Sequence, residues 1–124
     1  MAGHTYLRTH DLSSEHLALD LEAAVAEIHA QVREPEDRRA VTLARHDGLS
    51  IVLVHLRAGA ALDEHAAAGP VTVHVLDGHA QVTVGGESVD APTGWLVALG
   101  AGVRHSVRTD EGATILLTVS QPQP

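Results

Sequence analysis

From residue 40 onwards the sequence has a period of two, because apolar side chains alternate with other side chains in short runs. In one run, Val71, Val73 and Val75 share a face if the segment is a β-strand. Dipeptides that contain glycine separate the runs and supply the positive φ of tight turns. The pattern therefore predicts about seven short antiparallel strands in a sandwich or a closed barrel. The predicted strands span residues 41–46, 49–58, 71–76, 79–84, 95–99, 104–109 and 113–119. The separating dipeptides are Asp47-Gly48, Asp77-Gly78, Gly85-Gly86 and Glu111-Gly112.

An amphipathic helix precedes the strands. Its apolar stripe, at helical spacing, consists of Leu21, Val25, Ile28 and Val32. Asp20 is placed to cap the N-terminus, and Pro35 ends the helix because proline lacks the backbone N–H that a helix needs. The segment 49–58 is apolar on both faces, so we expect a cover on both sides, from this helix or from a partner subunit.

The length of 124 residues suits one domain. The periodicities divide the chain into an N-terminal arm and helix over residues 1–39, a β-barrel over residues 40–120 and a tail over residues 121–124. No apolar run reaches the roughly 20 residues of a membrane-spanning helix, and the N-terminus lacks the apolar core of a signal peptide. We therefore expect a cytoplasmic protein that does not bind membranes.

The composition excludes several kinds of chemistry. Sixteen acidic and eight basic side chains give a formal net charge of −8, which disfavours a nucleic-acid partner. The chain contains neither cysteine nor lysine, so thiolate nucleophiles, zinc–cysteine clusters and lysine Schiff bases are excluded. Ten histidines are the most prominent of the reactive side chains that remain.

Two segments resemble the paired motifs of the cupin superfamily. The first motif reads G-x5-H-x-H-x3–4-E-x6-G, and the matching positions are Gly59, His65 and Gly78. The second motif reads G-x5-P-x-G-x2-H-x3-N, and the matching positions are Gly94, Gly102 and His105. The resemblance covers residues 59–109 and implies the double-stranded β-helix, or jelly-roll barrel, of the cupins. We therefore expect an all-β fold of this type with one N-terminal amphipathic helix.

The resemblance also locates the family's metal-binding positions. In metal-binding cupins, two histidines and a glutamate of the first motif and one histidine of the second motif hold the metal. His65 and His105 match the first and last of these ligands, whereas Ala67 stands at the second histidine and Val71 at the glutamate. Zinc and iron sites need about three protein ligands, so we expect no tightly bound metal. If a divalent transition metal (Zn, Fe, Mn or Ni) binds, His65 and His105 are the predicted ligands.

Other residues could complete a metal site. Asp63 and Glu64 neighbour His65, but the chain must bend for their carboxylates to converge with the imidazole. His55 is a further candidate, although the turn at residue 59 breaks any argument from strand parity. Parity places His74 on the face opposite Val71 and therefore outside the barrel.

These observations predict a protein that binds a small molecule inside the barrel. One alternative is a metal-dependent cupin enzyme (a dioxygenase, isomerase or lyase) acting on a small organic substrate, and another is a sensory or regulatory cupin module. Because cupins commonly pair through outer sheet faces, we also expect a homodimer. The predicted pocket residues are His65, Ala67, Val71, Val73, Val82, Arg104 and His105.

Overall fold

A computed structural model describes residues 7–11, 16–33 and 35–120 of the chain. These residues form one α-helix, α1, and nine β-strands, β1 to β9. In chain order the elements are β1 (His10–Asp11), α1 (Leu21–Gln31), β2 (Arg38–His46), β3 (Leu49–Leu56), β4 (Ala61–His65), β5 (Val71–Val84), β6 (Glu87–Pro92), β7 (Leu96–Leu99), β8 (His105–Arg108) and β9 (Ala113–Ser120). The tail predicted over residues 121–124 lies outside the described residues.

The nine described strands pair into one continuous sheet that curls into a jelly-roll barrel, which confirms the predicted fold class. Along the main path the strand order is β1-β2-β3-β9-β5-β8-β4, and β6 and β7 also pair with β5. The first half of β5 pairs with β7 and β9, and its second half pairs with β6 and β8. Strand β5 therefore belongs to both layers of the barrel and joins them.

The sequence pattern predicted a turn at Asp77-Gly78 between two strands, and this prediction is wrong. Strand β5 continues through both residues, and its pairing with β9 shifts register between Val75 and Asp77. Gly78 has a φ of 86°, a conformation that glycine adopts at little cost. The dipeptide thus bends one strand from the first layer into the second, as a bulge does. By contrast, Asp47-Gly48 and Gly85-Gly86 do connect neighbouring antiparallel strands.

Side chains that point between the two layers form an inner apolar core. The predicted alternation is confirmed in β5, where Val71, Val73 and Val75 are all buried. Its other buried members are Val54, Leu56, Ala60, Ala80, Val82, Ala91, Leu99, Val107, Ala113 and Ile115. The barrel is therefore held together by small and medium aliphatic side chains.

Helix α1 covers the outer face of the first layer. The Asp20 side chain accepts a hydrogen bond from the backbone N–H of Ala23, as the predicted N-cap requires. Ile28 is buried against Leu43 of β2 and Leu53 of β3. The helix therefore supplies the outer cover expected for β3, which is apolar on both faces. Among the described residues, no helix has the length and apolarity that crossing a bilayer requires.

Three strands have no counterpart in the sequence prediction: β1, β4 and β6. Most residues of β4 and β6 are exposed, so these strands carry few of the alternating apolar side chains on which the prediction depends. Their pairing is nevertheless regular, with β4 against β8 and β6 against β5. Strand β4 ends at His65, one of the two histidines that match the paired motifs.

Candidate functional site

Strands β4 and β8 bring two histidines side by side. The two strands run antiparallel, and their register places His65 opposite His105. The centroids of the imidazole rings are 4.2 Å apart, at an interplanar angle of 62°. His105 is buried, with 3% of its surface exposed, whereas His65 is exposed. The two histidines singled out in the sequence are therefore neighbours, and one of them is open to solvent.

Backbone carbonyl groups orient both imidazole rings. Nδ1 of His65 lies 3.1 Å from the carbonyl oxygen of Asp63, and Nδ1 of His105 lies 3.1 Å from that of Val103. Because a carbonyl oxygen can only accept a hydrogen bond, each Nδ1 carries the hydrogen and donates it. In the neutral ring Nε2 then keeps its lone pair. Each ring can therefore accept a hydrogen bond from a ligand, or coordinate a metal, through Nε2.

An ion pair lies beside the histidines. Nη1 of Arg104 donates to Oε1 of Glu64 at 2.8 Å, and both side chains are largely exposed. The register between β4 and β8 shifts between Leu62 and His65, so the chain does bend next to His65. This bend does not bring the Glu64 carboxylate into a common site with the imidazoles, since the carboxylate pairs with Arg104.

The apolar residues predicted for the pocket belong to the inner core. Val71, Val73 and Val82 are buried there, and Ala67 packs against the same cluster. Strand β5 connects this cluster with the histidines, because Val82 pairs with Val107 and Val84 with His105. The pair of imidazoles thus lies where β8 meets the last residues of β5.

The residues around the histidine pair do not fit a metal with three protein ligands. Ala67 and Val71, at the family's other two ligand positions, have no atom that can coordinate a metal. In the part of the chain that the structure describes, no group of three or more His, Cys, Asp or Glu side chains is arranged to hold a metal ion. The donor set is therefore two imidazoles, short of the number that holds zinc or iron well.

A second polar cluster, which the sequence analysis missed, lies on the outer face of the sheet. His29 of α1 and His55 of β3 both contact the hydroxyl group of Thr114 in β9, and Asp77 of β5 lies beside His29. His55, a candidate to complete the metal site, lies on this outer face opposite Thr114. Because the four residues come from four elements, no spacing in the sequence indicates that they meet.

Of three comparisons with known proteins, only the one with solved structures finds matches. No protein-family model matches the sequence, and no curated protein matches it. Solved structures do match. A conserved protein of unknown function from Streptococcus pyogenes is 24% identical with a TM-score of 0.71, and the match covers 98% of this chain and 99% of that chain.

Two further solved structures are named as cupins. A cupin superfamily protein from Desulfitobacterium hafniense is 20% identical with a TM-score of 0.70, over 74% of this chain and 84% of that chain. A cupin 2 conserved barrel domain protein from Leptotrichia buccalis is 27% identical with a TM-score of 0.70, over 77% of this chain and 46% of that chain. Likeness at this level establishes the fold and leaves the activity to be argued from the site.

Proposed function

We propose that this chain, a small protein with the cupin fold, binds a small organic molecule beside His65 and His105. The observation that carries the proposal is the shared orientation of the two rings. Each Nδ1 is held by a backbone carbonyl group, which leaves each Nε2 as an acceptor. Two acceptors on rings 4.2 Å apart suit a ligand that carries hydroxyl or amine hydrogens.

The surroundings of the pair favour a ligand that is partly apolar. Ala67 and Val71 replace the polar ligands of metal-binding cupins, and both belong to the inner apolar core or pack against it. His105 is buried, its register partner Val84 packs against the same core, and His65 is exposed. Arg104 precedes His105 in the chain, but its guanidinium already pairs with Glu64. A neutral ligand with one apolar and one polar side fits these surroundings better than an anion does.

The second candidate is a metal-dependent enzyme on a small organic substrate. It is supported by the contacts of both Nδ1 atoms with backbone carbonyl groups, since metal-binding imidazoles commonly donate their other N–H to a carbonyl group. It is disfavoured by the missing third ligand. We therefore propose that a divalent transition metal is not tightly bound, and that any acid–base chemistry would depend on the imidazoles themselves.

The test is elemental analysis and native mass spectrometry of the untagged protein and its His65→Ala and His105→Ala variants. We expect metal well below one equivalent, and a small-molecule adduct on the wild type that both variants lose. His79→Ala is the matched control, because His79 is another strand histidine but lies beside Asp90 on the other edge of β5. This control should keep the adduct.

Three outcomes would overturn the proposal. About one equivalent of metal in the wild type, lost in both variants, would establish the metal-dependent alternative instead. A wild type that carries neither metal nor adduct would contradict tight ligand binding. An adduct that persists in both variants would place the ligand elsewhere on the protein.

The remaining expectations are also proposals. We propose a homodimer, and we keep the cytoplasm as its location on the ground of composition. A role as a sensory or regulatory module would use the same ligand site. It would be distinguished by a partner protein whose binding depends on the ligand.

A further inference from the structure

Three strands align the second polar cluster on the outer face of the sheet. Thr114 in β9 is the register partner of both His55 in β3 and Asp77 in β5, so the three residues lie in one row across the sheet. The last turn of α1 adds His29 above this row. Nε2 of His29 lies 2.7 Å from Oγ1 of Thr114, and Nδ1 of His55 lies 2.8 Å from the same oxygen. The imidazole centroids are 4.2 Å apart.

The hydrogen-bond directions in this row follow from the chemistry of the groups. Oδ2 of Asp77 lies 3.5 Å from Nε2 of His29, and a carboxylate beside a nitrogen favours a hydrogen on that nitrogen. His29 therefore donates to Oγ1 of Thr114. The single hydroxyl hydrogen of Thr114, a fully buried residue, is then directed to Nδ1 of His55. The row is a continuous chain that holds His55 in its neutral form.

The surroundings of His55 also favour the neutral form. Burial lowers the pKa of His55, the neighbouring His29 and Arg57 lower it further, and Asp77 opposes them. The ring therefore carries no positive charge at neutral pH. This matters because the ring lines an open cavity, where a charged imidazole would repel a cation.

The cavity has a volume of about 310 Å³, and its polar walls are His29, His55, Arg57, Asp77 and Glu111. An adjoining groove of about 540 Å³ runs along α1, and both spaces share His29 and Asp77. The walls of the groove are mainly apolar, from Leu21, Val25, Ala26 and Leu76, with Glu22 among them. Volumes of this order accommodate small organic ligands.

The charges around these two spaces are mostly negative. Asp77, Glu111 and Glu22 contribute carboxylates, whereas Arg57 contributes the one cationic side chain among the described lining residues. Nη1 of Arg57 donates to the backbone carbonyl of Glu36, which draws its guanidinium toward the segment before β2. Asp77, more than half exposed, stands where the polar cavity meets the apolar groove.

We propose that this outer cavity is a second ligand site, separate from the His65–His105 pair, for a small organic cation with a short alkyl chain. The ammonium group binds at Asp77, beside the neutral His55, and the alkyl chain lies in the groove against α1. The buried hydroxyl group of Thr114 contacts both imidazoles and directs its hydrogen to Nδ1 of His55. Proton uptake by His55 opposes binding, so the affinity falls as the pH falls through the titration of this histidine.

The experiment titrates the full chain with n-hexylammonium and follows the imidazole resonances by NMR, with calorimetry for the affinity. Sodium n-hexanoate and n-hexanol are the matched probes, since they have the same alkyl chain with a negative charge or no charge. We expect saturable shifts of His29 and His55 with the ammonium, and weaker binding of both other probes. Asp77→Asn should weaken ammonium binding about tenfold or more, because it removes a charged hydrogen-bond partner.

Asp90→Asn is the matched control, because Asp90 is another exposed carboxylate beside a strand histidine, on β6. This variant and His65→Ala should both keep the wild-type affinity. Because the pKa of His55 is lowered from about 6.5, the affinity should fall severalfold as the pH drops below about 6.5, where alkylammonium stays charged. The groups that face His55 across this range are His29, Asp77, Arg57 and Glu111.

Several results would overturn the site. They are equal binding of hexanoate and hexylammonium, an unchanged affinity in Asp77→Asn, or the absence of saturable shifts at His29 and His55. Loss of binding in His65→Ala would assign the cation to the other site instead. Asp77→Asn replaces an exposed side chain and is expected to fold, so each of these outcomes can be read directly.

Discussion

Gly59 and Gly78 have the same backbone φ of 86° but different surroundings. A Cβ atom added at Gly59 would have no neighbour within 4 Å, whereas one at Gly78 would collide with the backbone of Gly112 and Ala113. Both residues need left-handed backbone, which glycine adopts readily. Gly78 also needs the absence of a side chain, because β5 bends there against the turn that precedes β9. The first and last glycines of the first motif are thus required for different physical reasons.

At the scale of single residues, we predict that Gly78→Ala destabilises the protein more than Gly59→Ala does. Left-handed backbone costs each alanine about 1–2 kcal/mol. The collision at Gly78 adds roughly 1–3 kcal/mol, as overpacking does elsewhere. Urea denaturation of both variants measures how much free energy of unfolding each substitution removes. Equal free energies of unfolding would show that the contact with Gly112 contributes nothing.

Helix α1 shows how one element depends on both local and tertiary interactions. The Asp20 side chain accepts from the N–H of Ala23, which stabilises the first turn locally. A helix of 11 residues is nevertheless marginal by itself in water. Its stability therefore comes mainly from burying Ala24 and Ile28 on β2 and β3. The same packing places His29 over Thr114.

At the scale of this element we predict that Ile28→Ala lowers the free energy of unfolding by about 2–5 kcal/mol, since the side chain is fully buried. Val25→Ala is the control, because Val25 is only partly buried on the same helix. Val25→Ala should lower the free energy of unfolding by clearly less than Ile28→Ala does. Denaturation followed by both far-UV circular dichroism and Trp95 fluorescence gives the measurement. A helix that melts before the barrel, with no loss in barrel stability, would contradict the prediction.

Among the described residues, two neighbouring large apolar side chains are exposed at the edge of the sheet. Trp95 and Leu96, at the start of β7, are 54% and 55% exposed. In the described part of the chain, β7 pairs only with β5, so its other side is an open sheet edge. Strand β3 is apolar on both faces, and of the two covers that the sequence allowed, the helix and a partner subunit, it is α1 that covers its outer face. The open edge of β7 is therefore a better candidate for a dimer interface than the outer face of β3.

We accordingly predict that Trp95→Ser weakens a homodimer roughly tenfold or more, because exposed tryptophans commonly anchor interfaces. Sedimentation velocity across a dilution series gives the dissociation constants of wild type and variant. Asp90→Ser, on the exposed strand β6, is the control and should leave association unchanged. A wild type that is monomeric throughout, or a variant that associates as the wild type does, would refute the prediction.

Much of the architecture could be read from alternation in the sequence. Val71, Val73 and Val75 were placed on one buried face, and Asp20 was placed as the helix cap. These predictions succeed because burial and capping act over a few neighbouring residues. Strands with little burial, such as β4, were missed because pairing alone leaves no periodic signal in the sequence.

The candidate site was predictable only in part. The spacing of the motifs singled out His65 and His105, and the register of β4 and β8 brings their rings together. The tautomer of each ring depends on a carbonyl group two residues earlier in the chain, at Asp63 and Val103. Such hydrogen bonds depend on the local bend of the backbone, which residue types alone do not specify.

The sequence by itself determined which face of the first half of β5 is buried, where the helix begins, and that two histidines stand at related positions of paired motifs. Only the tertiary structure decided that β5 passes through Asp77 and Gly78 without a turn. Only the tertiary structure also placed His29, His55 and Asp77 around Thr114. The physical reason is range: alternation and capping are local, whereas contacts between four separate elements depend on the complete pairing of the sheet and on the helix packed across it.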